Sequence, residues 1–185
     1  QTLPAQDFPK LSNQLAGAKK ITLGQLALKK LLLSVQYAMA QQDVRYYLNG
    51  VLLIVEGNKL KVVATDGHRL AFNAGIIDGK HERQEIILPR KAVLELCKLL
   101  SDSEELIEIE FSQQQVKAGF SGISLITKVI EWKFPDYERV IPKYDNHLNM
   151  NRKAIQQALQ RAAILSNEKF RGVRFVLTEK NLSII

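Results

Sequence analysis

The sequence predicts an α+β fold built from domain-sized repeats, and three observations predict it. Apolar residues recur at helical steps in two separated stretches: Leu28, Leu32, Val35 and Met39 in one, Ile155, Leu159, Ala162 and Leu165 in the other. Each stretch is followed by short β-branched runs, and these can be laid on one another by matching Gly172 to Gly50, an offset of 122, which also places Leu182–Ile185 on Leu60–Val63. A Phe-Pro pair recurs as well, Phe8-Pro9 and Phe134-Pro135, 126 positions apart. Self-similarity at such an interval marks repeated domains.

Taken in order, residues 1–20 read as a linker, with two prolines and then polar and small residues ending in Lys19-Lys20. The pattern turns helical from Ile21, and a helix is predicted over 23–40. Its polar positions Gln25, Lys29, Lys30 and Gln36 include no carboxylate. VLLIV (51–55), LKVVA (60–64) and RLAFNA (69–74) read as three strands, the first two separated by a Gly57-Asn58 turn signal. HERQEIILPR leads to a second helix, with Pro89 in its first turn and Val93, Leu96, Cys97 and Leu100 on one face. LIEIEF (106–111) alternates as a half-exposed strand, and VKAGF and SLITKVI continue as strands up to FPDYERVIP. A third helix over 151–165 carries Arg152, Lys153, Gln156, Gln160 and Arg161 as polar positions, again without a carboxylate, and GVRFVL follows as a strand.

Composition bounds the function. Lys and Arg number 26 against 19 Asp and Glu, a formal charge of +7 that favours a polyanionic partner. One cysteine, Cys97, leaves no internal disulfide and fits a reduced, intracellular setting, so a cytoplasmic location is expected. His68, His81 and His147 are scattered, and neither a metal site nor a cofactor is expected. No run approaches the ~18 apolar residues of a membrane span. The chain starts without Met and stops within a predicted strand, so the expectation is a piece of something longer.

QDVRYYLNG (42–50), VATDGHRLA (63–71), LPRKAV (88–93), FPDYERVIP (134–142) and AILSNEKFRGVR (163–174) together resemble the bacterial sliding clamp family, the beta subunit of DNA polymerase III. The resemblance implies a DNA-clamp fold: three similar domains per subunit, each with two helices packed on antiparallel β-sheet. Two subunits would form a homodimeric ring around double-stranded DNA, sheets outside and helices facing the DNA. Residues 1–20 would close the first domain, 21–136 form the whole second, and 137–185 hold the connection and the start of the third. With the third domain's far end absent, this chain would neither encircle DNA nor bind partners at full affinity.

The same resemblance places Gln42, Arg45, Tyr46, Tyr47, Arg90 and Lys91 on the DNA path, with Lys29 and Arg152 on the polar faces of the two inner helices. Lys and Gln on a rigid wall touch phosphates without reading bases, as a sliding ring requires. It also implies an apolar pocket for short linear peptides of the replicative polymerase, the clamp loader and repair proteins. Its walls would be Leu48, Thr65, Gly67, His68, Arg69 and Leu70, with Pro135, Arg139 and Val140 at its floor. Pocket walls of this kind anchor one apolar side chain of a partner.

Two other readings stay open. A basic nucleic-acid-binding module without a ring predicts aromatic stacking platforms on a sheet face, whereas aromatic content is only 7% and the strands are mainly aliphatic. A hydrolase built on Asp66 and His68 needs a nucleophile beside them, and Asp-Gly reads more simply as a turn; no catalytic residue is expected.

Overall fold

A computed structural model describes Pro4, Leu15 and residues 17–145, 147–164, 166, 172–179 and 181–185. Phe8-Pro9, Leu165 and most of 165–171 lie outside the described residues. The chain divides into two compact units, Gln1–Tyr137 and Glu138–Ile185.

In the first unit β1 (Lys19–Gly24) leads into α1 (Gln25–Val35), which tightens into a 3-10 turn at Gln36–Ala38. The predicted helix over 23–40 is therefore shorter, and residues 21–24 are strand. The reason is a partner that local periodicity does not reveal. Ile21 and Leu23, both buried, pair with Ile109 and Ile107 of β4 (Leu106–Phe111), so alternation wins over helical spacing. β4, β5 (Gln115–Phe120) and β6 (Ile123–Lys128) complete an antiparallel sheet in the order β1-β4-β5-β6. Ser121 (φ 45°) and Gly122 (φ 76°) join β5 to β6 as a two-residue turn with both residues left-handed, the geometry that matches strand twist.

β2 (Gly50–Thr65) and β3 (Leu70–Pro89) form one long antiparallel hairpin. This corrects the separate strands predicted on either side of Gly57-Asn58. The chain does not reverse there. The register shifts at Val55/Gly57 and Gly57/Lys59, and Gly57 takes φ +60°. The irregularity preserves a face. Val51, Leu53 and Val55 enter the main core, and beyond it Leu60, Val62 and Ala64 do so. The parity has flipped by one residue, which a bulge accomplishes and a regular strand cannot. The opposite face of β2, with Leu52, Ile54 and Val63, joins Ile87, Phe134 and Tyr137 in a second cluster.

α2 (Arg90–Leu99) starts directly at Pro89 and buries Ala92, Val93 and Leu96. Leu28, Leu31, Leu32 and Val35 of α1 meet them in the main core together with the inner faces of both sheets. Burying side chains of this size stabilises by roughly 1.5–3 kcal/mol each. Cys97 is half-buried on α2, and burial pushes its thiol up from the ordinary range.

Gln25 departs from its expected place on an exposed polar face. It is 1% exposed, its Nε2 donates to Ser121 Oγ (3.1 Å), and its Oε1 accepts from Ser101 N and Oγ (both 3.1 Å). It fastens the start of α1 to two loops.

The second unit holds α3 (Arg152–Ile164) and a hairpin of β7 (Phe175–Leu177) and β8 (Leu182–Ile184). Asn151 caps α3, its Oδ1 accepting from the backbone N–H of Lys153 (2.9 Å) and Ala154 (3.1 Å). A helix and two strands cannot enclose a core, and none of this unit's described residues is fully buried. Among the described residues, no helix is long and apolar enough to cross a membrane.

Gly50 tests the hairpin. A Cβ there would stand 2.5 Å from the Leu88 carbonyl oxygen and 3.0 Å from Ile87 Cγ2. Gly50→Ala is therefore expected to cost about 1–3 kcal/mol of the first unit's stability in denaturant titration. An unchanged midpoint would show that the two strands do not approach so closely.

Candidate functional site

The segment between α1 and β2 is short and held from within. Asp43 and Asn49 bond reciprocally: Asp43 N–H donates to Asn49 Oδ1 (3.0 Å), and Asn49 Nδ2 donates to the Asp43 carbonyl (2.9 Å). That pairing brackets a 3-10 turn at Tyr46–Leu48, whose Leu48 side chain is 2% exposed. Leu48, expected on a pocket wall, is thus a core residue that anchors the turn. The Leu48 carbonyl accepts from Ala40 N–H (3.0 Å), and the Asn49 carbonyl accepts from Arg90 N–H (2.9 Å), which sets the start of α2 beside the turn.

Arg45 organises the site. Its backbone N–H (2.7 Å) and Nε (3.0 Å) donate to Asp43 Oδ1, and its Nη2 donates to Asp43 Oδ2 (2.8 Å). The Arg45 side chain, bonded in this way, holds the Asp43 carboxyl down at about 2. Nη2 also reaches the Asp66 carbonyl at 3.4 Å. The guanidinium lies over Gly67, where a Cβ would come within 3.1 Å of Nη1 and where φ is +90°. A side chain at position 67 would collide and be strained at once, so glycine is required twice over.

Asp66–Arg69 is the connection between β2 and β3. Asp66 Oδ1 accepts from the backbone N–H groups of His68 (2.9 Å) and Arg69 (3.0 Å), and Oδ2 accepts from Arg69 Nε (3.0 Å). Burial alone would raise this carboxyl; the bonds from His68 and Arg69 outweigh it and hold it below the usual range. Thr65 Oγ1 donates to the Arg69 carbonyl (2.7 Å) and accepts from Gly67 N–H (3.1 Å). Both Asp66 oxygens therefore serve the turn and the His68 backbone, and neither bonds the His68 ring. The Arg69 guanidinium lies 5.7 Å from the Tyr37 ring centroid, a cation–π contact to the end of α1.

Two sets of residues kept apart in the sequence reading thus meet. Gln42, Arg45 and Arg90 of the expected DNA path share one cleft of about 490 Å³ with His68 and Arg69 of the expected partner pocket. Gln42 bends the chain into it with φ 56°. Lys91 is exposed on α2. Lys29 differs from expectation: its ammonium bonds Asp102 Oδ1 (2.7 Å), so α1's polar face is not free of carboxylates, and a phosphate would have to displace one. Thr65 and Leu70 flank the turn, half-buried, and Leu70 packs against the second cluster; Pro135 is exposed beside buried Phe134. Arg139, Val140 (67% exposed) and Arg152 belong to the second unit. Among the described residues, no group of His, Cys, Asp or Glu could hold a metal ion.

Sequence reasoning missed Tyr37 and Trp132. Trp132 meets Tyr46 edge-on at 5.3 Å between ring centroids and lies nearly parallel to Tyr47 at 6.3 Å. Its one signal in the sequence is that it is the chain's single tryptophan, two residues before Phe134-Pro135.

The family model for the DNA polymerase III beta subunit, central domain, matches residues 22–136. The beta sliding clamp of Salmonella typhimurium is 44% identical over 184 residues, covering 99% of this chain and 50% of that protein. The beta sliding clamp of Escherichia coli K12 is 43% identical over 184 residues at the same coverage. A crystal structure of the DNA polymerase III subunit beta from Pseudomonas aeruginosa superposes with a TM-score of 0.89 at 41% identity, over 98% of this chain and 50% of that one. The chain thus spans about half the length of the curated relatives it matches.

The Asp43–Arg45 pair gives a signed pH prediction. Its carboxyl is depressed in the fold, so the pair's contribution is complete above the unfolded value of about 3.9 and is lost as pH falls through about 2. A carboxyl NMR titration should place Asp43 near 2, rising toward about 3.9 in Arg45→Ala. An Asp43 midpoint unmoved by that substitution would contradict the geometry.

Proposed function

Because the chain belongs to the DNA polymerase III beta-subunit family of sliding clamps, we propose that it is part of a processivity factor, which holds a replicative polymerase on double-stranded DNA without catalysing a reaction itself. Residues 21–136 are the middle domain of a clamp subunit, and 137–185 open the domain that follows. Two full-length subunits form the ring, in the cytoplasm.

The observation that carries this reading is the meeting of Arg45 and Arg90 of the DNA path with Arg69 of the partner pocket at one cleft beside the Asp66–Arg69 turn. Cations on a preorganised surface attract a phosphate backbone. Because Arg45 is engaged by Asp43, its pull on DNA is weak. Weak contact without base readout is what sliding needs. Enclosure, not affinity, then supplies residence: the tethered polymerase experiences a high effective concentration of DNA, with no contact that stops translocation.

Gln42, Arg45, Tyr46, Tyr47, Arg90, Lys91 and, in the second unit, Arg152 are the DNA-facing groups. Thr65, Gly67, His68, Arg69, Leu70 and Pro135 in the first unit, and Arg139 and Val140 in the second, are the groups proposed to receive short linear motifs of the polymerase, the clamp loader and repair proteins. Leu48 supports that wall from inside the core.

Duplex binding tests the reading. Affinity should fall steeply with salt and be indifferent to sequence, and Lys91→Ala should reduce the slope of log K against log salt by about 1. Salt-insensitive or sequence-selective binding would refute it.

A further inference from the structure

We propose that Trp132, with Tyr46 and Tyr47, forms a stacking platform for an unpaired base of single-stranded DNA. The inference rests on the reading above in taking DNA as the polymer, and goes beyond it in the strand form and the residue.

The three rings are preorganised. Tyr46 and Tyr47 stand edge to face at 6.5 Å, and Trp132 packs against both, edge-on to the first and within 8° of parallel to the second. Tyr47 is anchored on the second cluster, where Phe134 is 6% exposed, so the rings stand over filled space. Trp132 is nevertheless 57% exposed and Tyr46 49%. Large rings packed on one another and left open to solvent offer a π-face at a reduced ordering cost.

The occupant follows from shape and charge. Trp132 borders a cleft of about 340 Å³ beside Phe134; a peptide anchor would enter that cleft, whereas a base stacks on the exposed ring faces of Trp132 and Tyr46. A paired base has both faces covered by its neighbours in the duplex; an unpaired one does not. Glu131 and Lys133, the sequence neighbours of Trp132, offset each other in charge. The bond from Arg90 N–H to the Asn49 carbonyl (2.9 Å) sets the cationic start of α2 beside the turn that carries the two tyrosines. Among the described residues, neither Arg90 nor Lys91 pairs with a carboxylate. Phosphates leaving the platform in that direction meet unpaired cations.

Trp132 is the only tryptophan, so its fluorescence reports the site directly. Titrating the chain with oligothymidylate should quench that emission. Anisotropy of a labelled oligothymidylate should then show Trp132→Ala binding weaker by on the order of tenfold, with Trp132→Phe retaining most of the affinity. Binding of a labelled duplex, measured in parallel, should be unchanged in both variants. Circular dichroism melts of the variants identify any loss due to unfolding, and Trp132→Phe carries the comparison if Trp132→Ala melts early. Oligothymidylate binding without quenching, or equal binding by folded Trp132→Ala, overturns the proposal. Quenching by a clamp-partner peptide and not by oligothymidylate overturns it in favour of a peptide site. Absence of salt-sensitive duplex binding in the unaltered chain would instead count against the clamp reading itself.

Discussion

Arg45 lies between two acceptors on different segments, the Asp43 carboxylate two residues back and the Asp66 carbonyl in the hairpin connection. Its guanidinium also occupies the space that a side chain on Gly67 would take. The shapes of the 42–49 segment and of the 66–69 turn are therefore one constraint. Tyr37 adds a second tie through Arg69. Surface ion pairs contribute little to stability, and the value of this arrangement lies in position: it keeps the guanidinium groups and the turn in a fixed relation on the long β2–β3 hairpin.

That hairpin depends in turn on the bulge at Gly57. Without it, the residues beyond would present Lys61 and Val63 to the main core in place of Leu60, Val62 and Ala64. The strand is apolar on both faces because it serves two clusters, one under the helices and one under Phe134 and Tyr137. The second cluster carries Tyr47, Leu70 and the FPDY connection, so the packing that stabilises the sheet also seats the candidate site.

Much of the architecture was legible in the sequence. The stripes of α1, α2 and α3 and the alternation of β4 have local signatures, and the motif matches identified the family. What escaped depended on distant partners. Ile21–Gly24 extends the helical stripe toward its N-terminus until β4 pairs with it. Gly57-Asn58 carries turn chemistry, and only the long pairing with β3 reveals a bulge. Gln25 looks like a solvated helix position until loops 96 and 76 residues away bond it. At the site, the family resemblance pointed to Arg45 and Arg90, but the bridge from Arg45 to Asp66 spans 21 positions and leaves no periodic trace. Lys29's pairing with Asp102 was invisible for the same reason.

In the proposed function, enclosure and not affinity holds the whole clamp on DNA. This is tested most directly by measuring how long the protein that this gene produces in its own cells, loaded by those cells' replication machinery, remains on nicked circular DNA before and after the circle is cut. The account predicts long retention on the circle and rapid loss from the linear ends at the same salt. Equal retention on both forms would mean that surface contacts do the holding, and the clamp mechanism would not apply.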